Sequence, residues 1–197
     1  MSNVAAAVLA AGRGTRTAGS TPKPLLALRG KPLVTWALET AAATDLHPIV
    51  LVVGYRGLAV RRAAPQGVLV ARTRRWRWGA AYSLNAALEL LEPWSQVDAV
   101  CVGLADQPLV GPDAYRRLAA AAHAGATLAV ATYAGVRANP VLLARPLWRE
   151  ARRLRGDVGA RALMERHPVT EVDCTGTGDP TDVDTLDDLQ TLEARLA

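Results

Sequence analysis

The strongest constraint on this chain is an alternation that runs its whole length: short apolar runs of strand size take turns with amphipathic stretches of helix size. Residues 4–10 are apolar and followed by glycines, as a strand buried on both faces would be. Residues 49–53, 68–71 and 97–103 repeat that pattern, and 127–132, 139–143 and 169–172 are further strand candidates. Between them, 33–43, 56–63, 80–91, 112–123, 146–155 and 158–166 carry helical spacing. The expected buried stripe of 33–43 is Leu33, Trp36, Ala37, Thr40 and Ala41; that of 80–91 is Leu84, Ala87, Leu88 and Leu91. A last helix begins after Thr185, with Asp188 three residues on in a capping-box arrangement. Strands and helices in this order predict an α/β fold: one three-layer α/β/α domain over 1–197, with a mostly parallel, twisted, Rossmann-like sheet.

Composition narrows the function classes. No stretch approaches about 18 uncharged apolar residues, so no membrane-spanning helix is expected. No basic segment precedes an apolar run at Met1-Ser2-Asn3-Val4, which makes the cytoplasm the expected location. Cys101 and Cys174 form no CxxC pattern, and His47, His123 and His167 are scattered, which argues against zinc. The net charge of +5 is modest, and residues 72–77 with Trp76 and Trp78 make one short basic patch, so no nucleic-acid partner is expected. Only two of the 23 basic residues are lysines, Lys23 and Lys31. A lysine kept in an arginine-rich chain suits a place needing a compact point charge beside phosphate rather than a planar fork.

Lys23 closes the most informative segment. The first strand opens into Leu9-Ala10-Ala11-Gly12-Arg13-Gly14-Thr15-Arg16 and continues to Pro22-Lys23-Pro24-Leu25-Leu26. Gly12 and Gly14 permit backbone conformations that turn N–H groups toward an anion, and Arg16 and Lys23 add charge. The P-loop pattern GxxxxGK[ST] is absent, and GxGxxG fails at Thr17.

LAAGxGTR…PKPLLxLxGKPL, spanning Leu9 to Leu33, resembles the opening of the nucleotidyltransferase superfamily in its MobA-like form, whose members build nucleotide sugars and nucleotide cofactors. The resemblance implies that Leu9, Ala10, Ala11, Gly12, Gly14, Thr15, Arg16 and Lys23 meet an NTP. Arg16 and Lys23 would be the catalytic cations on its phosphates, with Ala11 resembling the branch that takes CTP. It also implies Mg²⁺, a hard ion usually held by one or two carboxylates plus phosphate and water. Asp106 directly follows the strand 97–103, and open parallel sheets bind ligands at the carboxyl ends of their strands. Leu104-Ala105-Asp106-Gln107-Pro108 resembles the family's metal motif, in which Met or Gln follows the Asp. Asp184, in Thr181-Asp182-Val183-Asp184-Thr185, resembles the closing acidic motif and is the second expected ligand. Asp182 is two residues away and would share its face on an extended segment; Asp187 and Asp188 read as first-turn helix residues.

The C-terminal half points to a branch. Arg155-Gly156-Asp157-Val158-Gly159-Ala160-Arg161 resembles the GDxGAR element of molybdenum-cofactor cytidylyltransferases. Gly156 would end one helix and Asp157 cap the next, presenting free N–H groups to an acceptor phosphate near Arg161. By the same resemblance Asn139-Pro140-Val141 stands where His-Pro-Val is usual, and Trp78-Gly79-Ala80-Ala81-Tyr82-Ser83-Leu84 matches the base-side segment containing Ser83. The implied acceptor contacts are Asn139, Asp157, Gly159 and Arg161. The implied reaction is CMP transfer from CTP to a molybdopterin-type phosphate with release of pyrophosphate, and the implied partner is a molybdoenzyme. A sugar phosphate or other phosphorylated acceptor, a guanylyl donor, and a non-catalytic nucleotide-binding module remain as alternatives.

Overall fold

The computed structural model describes residues 3–14 and 21–196. Nine strands and seven α-helices follow in order among these residues: β1 (Asn3–Ala10), β2 (Ala27–Leu28), β3 (Lys31–Pro32), α1 (Leu33–Ala42), β4 (Ile49–Val53), α2 (Gly57–Arg62), β5 (Leu69–Arg72), α3 (Ala80–Leu91), β6 (Val97–Leu104), α4 (Pro112–His123), β7 (Leu128–Tyr133), β8 (Val136–Ala144), α5 (Trp148–Ala151), α6 (Arg161–Met164), β9 (Thr170–Asp173) and α7 (Leu186–Arg195).

Seven strands form one sheet in the order β5-β4-β1-β6-β8-β7-β9. β1 pairs in parallel with β4 and β6, and β8 is the strand that runs against its neighbours. Alternation along β1 feeds two cores. Val4, Ala6, Val8 and Ala10 face α1, α2 and α4, whereas Ala5 and Ala7 face α3. Both faces of β1 are therefore covered, as the near-continuous apolar run requires. The expected three-layer architecture is the one observed.

A third, smaller cluster lies beside the sheet. Leu28 and Leu33 from the β2–β3 hairpin and its exit pack against Val183 and against Leu192 of α7. This cluster ties the segment carrying Lys23 to the segment carrying Asp184.

The C-terminal half departs from expectation. Residues 146–155 form a 3-10 turn at Arg145–Leu147 followed by the single turn of α5, and the helix in 158–166 is confined to α6. The packed residues of this region are few: Leu147, Trp148, Ala151, Leu154, Ala160 and Leu163 are buried among mostly exposed arginines and glutamates. Short helices gain little on their own, so packing decides how far they extend. In α1 the buried face is Leu33, Val34, Ala37, Leu38 and Ala41. Trp36 sits at its edge, where its indole N–H donates to the Leu28 carbonyl at 3.1 Å. The Leu84, Ala87, Leu88 and Leu91 stripe of α3 is buried as expected. Both cysteines are buried and free.

Candidate active site

The carboxyl ends of β1 and β6 lie side by side, Leu9 pairing with Leu104, and the Ala105 amide continues the ladder by donating to the Leu9 carbonyl at 3.1 Å. The chain then carries Asp106 outward at the head of the sheet. A second segment is laced to this loop. The Val183 amide donates to the Asp106 carbonyl at 2.8 Å, the Asp179 amide to the Leu109 carbonyl at 2.9 Å, and Val110 bridges Gly178. Val183 turns inward to full burial, which leaves Asp182 and Asp184 on the opposite face of the extended segment, as the two-residue period demands. Beyond it, α7 opens on a complete capping box: the Asp188 amide donates to the Thr185 hydroxyl at 3.1 Å, and the Thr185 amide donates to Asp188 Oδ2 at 2.7 Å. Asp188 Oδ2 also accepts from the Asp184 amide at 2.9 Å, so the cap fixes the backbone of the neighbouring carboxylate. The Thr185 hydroxyl, followed by the Thr185 amide, holds Asp188 below the usual aspartate range.

Into this acidic corner reaches Lys23. Its Nζ lies 2.6 Å from Asp106 Oδ2 and 2.7 Å from Asp184 Oδ1. Residues 83 and 161 positions apart in sequence thus meet on one ammonium. Lys23 is 8% exposed. Burial works to lower its pKa, but the Asp106 carboxylate and then Asp184 outweigh it, and the net direction is upward. Lys23 stays charged across the neutral range. Gly14 lies against its stem at φ +67°, and a Cβ there would overlap that of Lys23. A side chain at position 14 would push the lysine out of the corner.

The donor set suits a hard divalent cation. Asp182 stands close enough to the other two carboxylates that partial burial first, and the Asp106 carboxylate second, raise its pKa. Three carboxylates against one ammonium leave an excess of negative charge, presented entirely by oxygen. Among the described residues no cluster of three or more His, Cys, Asp and Glu has the geometry of an all-protein metal cage. Mg²⁺ does not need one, since one or two carboxylates with phosphate and water complete its shell. Asp106 and Asp184 would hold it.

The other expected site residues fall as follows. Thr15 and Arg16 lie outside the described residues. Leu9, Ala10 and Ala11 end and leave β1, and Ala11 accepts from the Tyr55 amide at 3.0 Å. Ser83 is buried in the first turn of α3. Asn139 lies on β8; Val141 pairs with Val102, so Asn139 falls near the Leu104 end of β6, within the irregularity of the β7–β8 ladder. Asp157, Gly159 and Arg161 lie on the turn leading into α6, on the α3 side of the sheet.

Asp157 requires a correction: it does not cap the helix that follows it. That helix starts at Arg161 with Ala160 as its N-cap. Asp157 Oδ1 instead accepts from the Ala80 amide, the first of α3, at 3.2 Å.

Two features escaped the sequence reading. Gln107, 5% exposed, donates from Nε2 to the Pro180 carbonyl at 2.8 Å and so clamps the two acidic segments. The Gln in the motif marked the position but not this partner. The second is a rim of rings and guanidiniums beside Ala11: Arg13 and Arg56 over Tyr55, Tyr55 against Trp76, Arg77 over Trp76, and Arg75 over both Trp78 and Tyr82. The sequence marked 72–77 with Trp76 and Trp78 only as a short basic patch; the fold brings it to Arg13, Tyr55 and Arg56 from the loops after β1 and β4 and to Tyr82 of α3.

The chain is 35% identical over 111 residues to the bifunctional protein GlmU of Pelobacter propionicus, a match covering 56% of this chain and 24% of GlmU. The chain therefore spans about a quarter of the curated relatives it matches. Among solved structures, Rv0371c from Mycobacterium tuberculosis superposes with a TM-score of 0.85 at 33% identity, covering 98% of both chains. The same protein in complex with manganese gives 0.82 over 98% of this chain and 99% of its own. The profile of the MobA-like NTP transferase domain matches residues 6–172, from β1 through β9, and the chain belongs to that family.

Proposed function

We propose that this chain transfers a nucleoside monophosphate from an NTP to the phosphate of a small acceptor. The observation that carries the reading is Lys23, buried and held by Asp106 and Asp184 at 2.6 and 2.7 Å beside the loop that leaves β1. A buried ammonium flanked by carboxylates at the head of a parallel sheet is a site built around exchangeable charge, which is what a triphosphate with its counter-ion brings.

In this reading Ala11, Gly12 and Gly14 with Thr15, Arg16 and Lys23 hold the phosphates, and Ser83 lies on the base side. A divalent cation bound by Asp106 and Asp184, Mg²⁺ in our reading, would neutralise phosphate oxygens as a Lewis acid. An oxygen of the acceptor phosphate attacks the α-phosphorus, the bond to the bridging β-oxygen breaks, and pyrophosphate leaves with that electron pair. The attacking phosphate is already ionised near pH 7, so no general base is required. Positioning and fixed charge supply the rate. CTP is the favoured donor and a molybdopterin-type phosphate the favoured acceptor, with Asn139, Gly159 and Arg161 as its contacts and a molybdoenzyme as the eventual recipient. These finer assignments rest on the Ala11 and GDxGAR resemblances. Sugar phosphates are the acceptors to test beside it, since LAAGxGTR…PKPLLxLxGKPL also resembles the opening of enzymes that build nucleotide sugars.

The experiment is a matrix of α-labelled CTP, GTP and UTP against molybdopterin and a panel of sugar phosphates, read as labelled product and released pyrophosphate with Mg²⁺ or Mn²⁺. Stoichiometric pyrophosphate with one pair identifies donor and acceptor. Tight NTP binding with no pyrophosphate from any pair would leave a binding module and sink the enzyme reading.

A further inference from the structure

The GDxGAR turn is joined to the nucleotide side of the molecule at one place. Helix α3 begins after Gly79, which has no side chain with which to cap it. The missing partners come from the distant turn at 156–157. Asp157 Oδ1 accepts from the Ala80 amide at 3.2 Å, and the Gly156 carbonyl accepts from the Ala81 amide at 3.3 Å. The two backbones touch: a Cβ on Gly79, at φ +112°, would overlap the Gly156 carbonyl and the Asp157 nitrogen. Below the joint, Ala160 and Leu163 pack in the same cluster as Ala81 and Ala11. Thus the turn at 156–157 satisfies the amides that open α3, and α3 carries Ser83 within its first turn.

We propose that Asp157 is a positioning residue for the nucleotide: its carboxylate pins the start of α3, and through it Ser83, against the loop leaving β1. The proposal rests on the nucleotide site described above, and it gives Asp157 a task on the NTP side that the acceptor resemblance does not assign. A free helix start costs little when solvated, but a loosened one lets the first turn fray, and that turn carries Ser83, which the nucleotide-site reading puts on the base side.

The test is direct binding of CTP and of GTP with Mg²⁺, without acceptor, by calorimetry on wild type, Asp157→Ala, Asp157→Asn and Gly79→Ala. Binding to wild type is the check on the nucleotide site itself; its failure would sink that reading, and this one with it. Given wild-type binding, Asp157→Ala should weaken the dissociation constant of the preferred NTP about fivefold, the worth of a typical cap. Asp157→Asn should stay within about twofold of wild type, since Asn caps a helix as well as Asp. Gly79→Ala, which forces the joint apart, should move binding the same way as Asp157→Ala. Unchanged NTP binding in a folded Asp157→Ala protein would overturn the proposal and leave Asp157 to the acceptor. Equal losses in the Asn and Ala variants would overturn it too, because they would show that the charge, not the cap, matters. If Asp157→Ala does not fold, the Asn and Gly79→Ala variants decide by the same criteria.

Discussion

The Lys23 corner and the GDxGAR turn are both places where a short motif meets a distant part of the chain, yet they are built in opposite ways. The corner is laced from all sides. Asp106 is held by the β1–β6 ladder and by Val183, Asp184 by the α7 cap, and Lys23 by Gly14 and two carboxylates. The turn is pinned by the Gly79 joint and a thin apolar underside, with Arg153, Arg155 and Arg161 left exposed. Over-determination lets the corner hold like charges at close range. A lightly pinned turn can adjust to a ligand, at the cost of defining its geometry less tightly. The contrast predicts that substitutions in the corner act on chemistry and that substitutions in the turn act on binding.

The largest effect should come from Asp106→Ala. The protein should stay folded, since Lys23 keeps Asp184, while turnover falls about a thousandfold or more, the scale seen when a charge-stabilising group is lost. A thermal melt beside a pyrophosphate-release assay measures both, and full turnover in the folded variant would remove Asp106 from the metal site. Next is the small cluster that brings α7 to the β2–β3 hairpin. Leu192 is fully buried there, and Leu192→Ala should cost about 2–4 kcal/mol in denaturant unfolding. Activity should fall with it, because Asp184 rides on the same segment; stability lost without activity would show that the corner holds without α7.

Smaller still is the capping box. Thr185→Ala should cost about 1 kcal/mol. Asp188, whose carboxylate the cap holds below its ordinary value of 3.8, stabilises the fold when ionised. Its contribution is present above that value and lost as the pH falls through the lower, folded-state value, so the stability gap between wild type and Asp188→Asn should close in acid and open toward neutrality.

What was legible in the sequence divides along the same line. The centre of the sheet could be read because β1, β4 and β6 are apolar runs covered on both faces and need no partner to identify them. The corner could be read because Asp106 directly follows β6, while Lys23 and Asp184 stand in segments that resemble family motifs; the fold, not spacing, brings the three together. The region 145–166 misled because a helical period there has too few buried positions to sustain a helix: Trp148 and Ala151 anchor one turn, and Leu163 another. Asp157 was read as a cap correctly in kind but for the wrong helix, since a sequence gives the capping residue's chemistry and not the fold's return to α3. The partners of Gln107 and of the 72–78 patch were invisible for the same reason: they are set by tertiary return, not by spacing.

The gentlest prediction is the one that most sharply separates the two regions. Gly159 sits in the turn with open space around its Cα and without a left-handed backbone conformation, whereas Gly79 at the joint has neither freedom. Gly159→Ala should therefore change stability by less than about 0.5 kcal/mol, as for an unconstrained surface site. It should also leave NTP binding where it was, because nothing of the α3 joint moves. Any kinetic change it produces should fall on the acceptor's kcat/KM alone, for the added methyl would project where an acceptor is proposed to lie. If Gly159→Ala instead weakened NTP binding as much as Gly79→Ala, the turn would be acting as one rigid piece with α3, and the division drawn between a fixed corner and an adaptable turn would fail at that point.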